Sequence, residues 1–256
     1  MNKFLNILEK DLAEKDVKFS DFYNGENIVE QRLLPEYGGV FAARGGVVAP
    51  NKIVFRDEKE VAEFQNGVSI KKAEIGGFEL ELQTAAMKDL LKAIAEAGEN
   101  NLSINPRGAD SARRNYSGTV ELWASRVNPA LEHWTNEGKI TSENADRIRV
   151  LSPFAQVPEI FRLEKEEIWF SKDLSKSIIY SVAPPGTSQH LAMLAFDVAE
   201  FQNDQVREIL ARHKWFQTVV SDLPHFTYLG IRENELPNSG LKKVEYCQQV
   251  FWIPNL

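Results

Sequence analysis

Apolar residues near the start of the chain recur every three or four positions. Phe4, Leu5, Ile7, Leu8 and Leu12 fall on one face of a helix, so Met1 to Phe19 reads as a charged, amphipathic segment. The pattern then breaks at Gly38-Gly39 and Gly45-Gly46. Val47-Val48 and Ile53-Val54-Phe55 read as short strands, and Asp57 to Phe64 as a helical turn or two. From Thr84 to Ala97 the helical period is clear. Met87, Leu90, Leu91 and Ile94 form one apolar face, with Thr84 placed to cap the start and Gly98 suited to the end. Leu102-Ser103-Ile104 reads as a strand. A second helix is predicted from Thr119 to Asn128, with Val120, Leu122, Trp123 and Val127 as its apolar positions and Pro129 ending or kinking it.

Thr135 to Gln156 is polar and less regular, and reads as an insertion or lid in which Ser142 caps a short helix through Ile148. Ile178 to Val182 is a strand by its β-branched content, broken by Pro184-Pro185-Gly186. Leu194 to Val198 is the next strand and Val206 to His213 a helix. Phe226 to Ile231 and Val250 to Ile253 read as closing strands. Helices and antiparallel strands in mixed order, without regular βαβ alternation, point to an α+β fold. Residues 1–82 carry no evident chemistry and read as an extension packed on a main domain of residues 83–256.

The composition is that of an ordinary globular chain: 256 residues, 43% hydrophobic and 26% charged. A net charge of -7 without any Lys/Arg run argues against nucleic-acid binding. Cys247 is the only cysteine, so no internal disulfide forms. No apolar stretch approaches the roughly 20 residues of a membrane span. The amino-terminal segment lacks the uninterrupted apolar core of an export signal.

The chemistry gathers late in the chain. Ser188-Gln189-His190 and Asp197, followed by Asp222-Leu223-Pro224-His225, supply two imidazoles, a carboxylate for a metal and a second carboxylate three residues before the last imidazole. That is the inventory of a catalytic zinc site: three protein ligands, one open position and a nearby base. Met193, Ala195 and Asp197 share one face of a strand, whereas His190, at an odd offset of seven residues from Asp197, would fall on the other. It must therefore sit in the turn after Pro184-Pro185-Gly186. A strand opening at His225 and neighbouring Asp197 would complete the set, with Asp222 leaning over the open position. Spacing alone does not decide for zinc. A histidine on a strand is more often a hydrogen-bonded structural residue, and a His-x6-Asp interval recurs by chance.

These residues resemble the zinc D-alanyl-D-alanine carboxypeptidases of the VanY and VanX kind, whose core is shared with the hedgehog signalling domain. The likeness covers roughly residues 80–232. Pro185-Gly186-Thr187-Ser188-Gln189-His190 is similar to the family's Pro-Gly-x-Ser-x-His. His225-Phe226-Thr227-Tyr228-Leu229-Gly230 resembles its final strand, and Arg114-Asn115-Tyr116 its Arg-x-Tyr segment opening a helix. The resemblance implies a central, mostly antiparallel sheet with flanking helices, and a zinc peptidase domain over 83–256. It implies His190, Asp197 and His225 as zinc ligands, Asp222 as catalytic base, Arg114 as the arginine that helps hold substrate, and Ser188 as a motif serine near the bound peptide. Arg113 and Arg107 are neighbouring candidates for the arginine's role.

The sequence departs from the pattern where Asp222 replaces the usual Glu and where Met193 replaces a small residue, often Gly. The implied reaction is hydrolysis of a peptidoglycan stem peptide, by D,D- or L,D-carboxypeptidase action. An endopeptidase, or a binding module that retains zinc for structure, is the alternative. The family's substrates lie in the cell envelope, although the segment read here carries no export signal. Oligomeric state stays open.

Overall fold

The computed structural model describes residues 2–256. Met1, at the head of the predicted amphipathic segment, lies outside the described residues. The segment itself forms α1 (Lys3–Ala13), capped by the Asn2 side chain on the Phe4 and Leu5 amides, and it buries Phe4, Leu8 and Leu12. Two short helices follow, α2 (Phe19–Phe22) and α3 (Ile28–Tyr37). α3 is capped by Asn27 and continues past Pro35 into a 3-10 turn at Gly38–Ala42.

Where a helical turn or two is expected, Asp57 caps α4 (Glu58–Asn66) through the Glu60 amide. A hairpin absent from the sequence reading comes next: β1 (Ile70–Ile75) pairs antiparallel with β2 (Phe78–Gln83) around Gly76 and Gly77, both at positive φ. α5 (Thr84–Glu99) buries Met87 and Leu90 as expected, but Thr84 is not its cap. The Thr84 amide instead donates to Ser69 O and its hydroxyl meets Ser69 Oγ. α6 (Tyr116–Asn136) is capped by Asn115 on the Gly118 amide and does not end at Pro129 but continues past it. Trp123 and Val127 are buried in it, whereas Leu122, expected inside, is exposed on a cleft wall.

Residues 135–156 are not a lid. They form α7 (Ser142–Arg149), capped by Thr141 rather than Ser142, and the start of α8 (Pro153–Glu164), and they pack with α6 away from the cleft. The remaining elements are β3 (Ala195–Asp197), α9 (Asp204–Arg212), β4 (Trp215–Phe216), β5 (His225–Tyr228), β6 (Leu241–Tyr246) and β7 (Gln249–Pro254).

The class is α+β. The strands form three small antiparallel sheets: the β1–β2 hairpin, the β6–β7 hairpin, and a three-stranded sheet in the order β3-β5-β4. Four expected strands are not strands. Residues 47–48 and 53–55 are coil, Phe55 making a single bond to Gly186 O, and residues 102–104 are coil. Ile178–Tyr180 is a 3-10 turn whose Ile178 amide donates to the buried Glu164 carboxylate at 2.6 Å. Ile53, Phe55, Ile104, Ile178 and Ile179 bury their side chains without joining any ladder, whereas Val48 is exposed.

One buried apolar cluster runs from Phe4 to Trp252, joining both ends of the chain. Two glycines admit close packing around the central sheet. At Gly186 (φ +80°) a Cβ would lie 1.8 Å from Phe55 O, and at Gly39 it would lie 2.6 Å from Thr218 Cβ.

Candidate metal centre

The three-stranded sheet sets the positions. Asp197 ends β3 and His225 opens β5, and the register places them directly opposite one another. His190 is delivered from outside the sheet, as its odd offset requires. It lies in the 3-10 turn Gln189–Ala192 after Gly186. Met193 closes that turn in the left-handed conformation (φ +53°), so the strand begins later than expected and Met193 does not share the face of Ala195 and Asp197. A positive φ at this position gives a physical reason for glycine to be favoured there.

His190 Nε2 lies 3.3 Å and His225 Nδ1 3.2 Å from the same oxygen, Asp197 Oδ1. The three donor atoms fall within 4.8 Å of one another, a group that can hold a metal ion. A tetrahedral centre with arms of about 2.0–2.1 Å has ligand–ligand edges of roughly 3.3 Å, so these separations fit zinc.

The outer bonds of the imidazoles strengthen the fit. His190 Nδ1 meets the Ala112 carbonyl at 2.7 Å, and a carbonyl only accepts, so that nitrogen carries the proton. His225 Nε2 meets Gln189 Oε1 at 3.0 Å. The Gln189 amide is itself oriented, because its Nε2 donates to Tyr37 O at 3.0 Å and to Thr218 Oγ1 at 3.2 Å. Its oxygen, which also accepts from Thr227 Oγ1, must therefore face His225 and accept the Nε2 proton. Both distal nitrogens are thus donors, and both proximal nitrogens, when neutral, aim lone pairs at a carboxylate oxygen. That arrangement is repulsive without a cation among the three atoms.

The three groups also shift one another. Burial pushes the His190 imidazole below its ordinary value, with the Arg114 and His225 charges adding to that against the pull of Asp197. Burial would raise the Asp197 carboxyl, but His190 and His225 outweigh it and hold the group well below the carboxylate range. The other oxygen, Asp197 Oδ2, is engaged by Arg114 Nη2 at 2.9 Å. One oxygen is left for a metal.

The remaining candidates share one cleft of about 260 Å³, lined by Arg114, Ser188 and Asp222 together with the three metal candidates. Asp222 is exposed, in a turn where its carbonyl accepts from the His225 amide at 3.1 Å. Ser188 precedes the His190 turn and is buried at the cleft floor. Arg114 is tied down, by Asp197 and by Asp110 through the Asp110 carbonyl at 3.0 Å and its carboxylate at 3.3 Å. Arg113 turns away to Gln65 and Glu81. Two other arginines line the cleft: Arg107 is exposed, and Arg126 is held by hydroxyls, Nε on Ser181 at 3.1 Å and Nη1 on Ser125 at 2.8 Å, rather than by a carboxylate.

Sequence reasoning did not single out Gln189, Tyr37 or Arg126. Gln189 had a usable signal, a polar residue inside the Ser188–His190 phrase. The other two come from segments remote in sequence.

The chain matches no protein-family model and no curated protein. Among solved structures it is similar to a mutant of the vancomycin-resistance D,D-pentapeptidase VanY from a VanB-type resistance cassette, in complex with Zn(II). The match covers 72% of this chain and 87% of that one, at 14% identity and a TM-score of 0.40. At that score the functional assignment stands on side-chain geometry alone.

Proposed function

We propose that this protein is a zinc-dependent peptidase of the cell envelope that removes the C-terminal residue of a peptidoglycan stem peptide, as a D-alanyl-D-alanine or L,D-carboxypeptidase. The observation carrying this reading is the His190–Asp197–His225 group, with both outer imidazole nitrogens protonated and both inner ones turned on Asp197 Oδ1 at the edge length of a zinc tetrahedron.

His190 Nε2, His225 Nδ1 and Asp197 Oδ1 would hold the ion. Zinc bound by these groups supplies Lewis acidity to a water molecule and to the scissile carbonyl. Two neutral imidazoles and one carboxylate leave part of the cation's charge uncompensated, which suits that role. Arg114 and the Ala112 and Gln189 oxygens fix the ligands, so no reorganisation is needed when substrate arrives.

In this reading Asp222 is the general base, taking a proton from the attacking water and returning it to the leaving amine. Its place on the cleft wall, three residues before His225, supports that role. Ser188 offers a hydroxyl to the peptide backbone. Because Arg114 is committed to Asp197, we assign the substrate's terminal carboxylate to Arg107 and Arg126, whose forks suit a carboxylate. A cationic wall for a free carboxylate favours carboxypeptidase over endopeptidase action. Residues 83–256 form the catalytic unit, to which α3 of the preceding region is an integral support.

The test is incubation of the zinc-loaded protein with a muropeptide ending in D-alanyl-D-alanine. Release of free D-alanine is expected, abolished by a chelator and restored by zinc. Asp222→Ala should lower kcat by on the order of a hundredfold or more while zinc content stays at wild type. Larger fragments would indicate an endopeptidase, and undiminished hydrolysis in Asp222→Ala would remove that residue as the base.

A further inference from the structure

The turn that carries Asp222 is clasped from outside its own sheet. Ser221, next to Asp222, donates to Glu36 Oε1 twice, from its hydroxyl at 2.6 Å and from its backbone amide at 3.3 Å. Glu36 is the penultimate residue of α3, 185 positions earlier in the chain. It is half-buried, and that burial raises its carboxyl above the ordinary value even against the two Ser221 bonds, with the nearby Asp222 charge adding to the rise. A carboxylate drawn partly out of water needs hydrogen-bond donors. Its contacts run to Ser221.

The same helix end reaches the site on its other side. The Tyr37 carbonyl orients Gln189, and the Tyr37 hydroxyl donates to Ile179 O at 2.5 Å in the cleft wall. The clasp on the loop therefore comes from an element already locked to the ligand sphere. On its opposite flank the turn is held by Gln217 Nε2 on Leu223 O at 2.5 Å, while Gln217 itself is tied to Gln249 on β7.

We propose that Glu36 is a positioning residue for the general base: through Ser221 it fixes the Val219–His225 turn so that Asp222 is held over the metal group. This deepens the peptidase reading and rests on Asp222 acting as the base. An exposed aspartate has a short reach, and a misplacement of about 1 Å can cost roughly a hundredfold in rate. A clasp of two hydrogen bonds from a rigid helix end restrains that displacement.

The test compares Glu36→Ala, Glu36→Gln, Ser221→Ala and the Glu36→Ala/Ser221→Ala double variant in zinc-loaded, full-length protein. Two readouts are used: kcat and KM on a D-alanyl-D-alanine-terminated pentapeptide, and hydrogen exchange of the backbone amides from 219 to 225. Glu36→Ala is expected to lower kcat by on the order of tenfold to a hundredfold with KM little changed, and to release the Ser221 amide to fast exchange, with zinc content unaltered. Glu36→Gln keeps an acceptor oxygen and should restore most of kcat and of the protection. The double variant should be no slower than Glu36→Ala, since both changes break one clasp. Wild-type exchange and kcat in Glu36→Ala, or losses that simply multiply in the double variant, would overturn the proposal. If the wild type releases no D-alanine, the peptidase reading fails, and with it the catalytic role of Glu36; an Ser221 amide still protected by Glu36 would then identify a loop clasp without that role.

Discussion

At the scale of single residues, Gln189 decides more than its neutral side chain suggests. Its amide nitrogen is fixed by the Tyr37 carbonyl, which forces its oxygen on His225 and leaves His225 Nδ1 as the free lone pair. Replacing it by Leu removes the acceptor and the orientation together. Gln189→Leu should weaken zinc binding by about 10- to 100-fold while the chain stays folded, as measured by titration against a competing chelator. An unchanged affinity would mean that the His225 tautomer is set by something else. The metal candidates themselves were legible from the sequence, because their chemistry restricts residue types and they lie in two short phrases, 188–197 and 222–225. Gln189's partner Tyr37 and the Glu36–Ser221 clasp were not legible. They join positions 152 and 185 apart, and nothing local marks them.

At the scale of elements, the strongly periodic helices α1, α5 and α9 were readable from spacing, and most strands were not. Proline misled the reading at Pro129, which was expected to end or kink its helix. α3, α6 and α8 all run through an internal proline, at 35, 129 and 158, each losing one backbone donor. Burial of Leu34 and Tyr37, of Val127 and Leu131, and of Val157 and Phe161 on either side holds the helices together across those positions. Short β-branched runs misled it the other way, because burial in coil and burial in a ladder leave the same composition.

α5 also secures the site sheet. Asp89 accepts from the Tyr228 hydroxyl on β5 at 2.8 Å and from Lys214 at 3.0 Å. Burial would raise the Asp89 carboxyl, but its bonds to Lys92, Lys214 and Tyr228 outweigh that and bring it down to about 2. A depressed carboxylate stabilises the fold above its unfolded value near 3.9, and that contribution is lost as pH falls toward 2. Asp89→Asn should therefore lower stability by about 2 kcal/mol at neutral pH, or roughly 4–8 °C in Tm. The difference from wild type should shrink between about pH 4 and pH 2. Thermal melts across that window check both statements.

At the scale of the whole molecule, one apolar cluster joins α1 to β7, and the cleft draws its walls from α3, α6, the 178–183 segment and the central sheet. The site is thus a property of the full fold. An ion held by two segments of that sheet and its adjoining turn binds the native state and stabilises it by mass action. Stripping the protein with a chelator should lower Tm, and zinc should restore it in a concentration-dependent manner. Because the ligands must be deprotonated to bind metal, the shift should diminish as pH falls and protons compete with the ion. A Tm indifferent to chelator and zinc at neutral pH would count against a metal in the folded protein.

The most direct measurement is the metal content of purified, unsupplemented protein, paired with the same analysis of His190→Ala. The expected result is one zinc per chain in the wild type and its loss in a variant that remains folded by circular dichroism. A wild type without zinc that also fails to take it up at micromolar concentration, or a variant that binds it equally well, would contradict the assignment of His190, Asp197 and His225 as a metal centre.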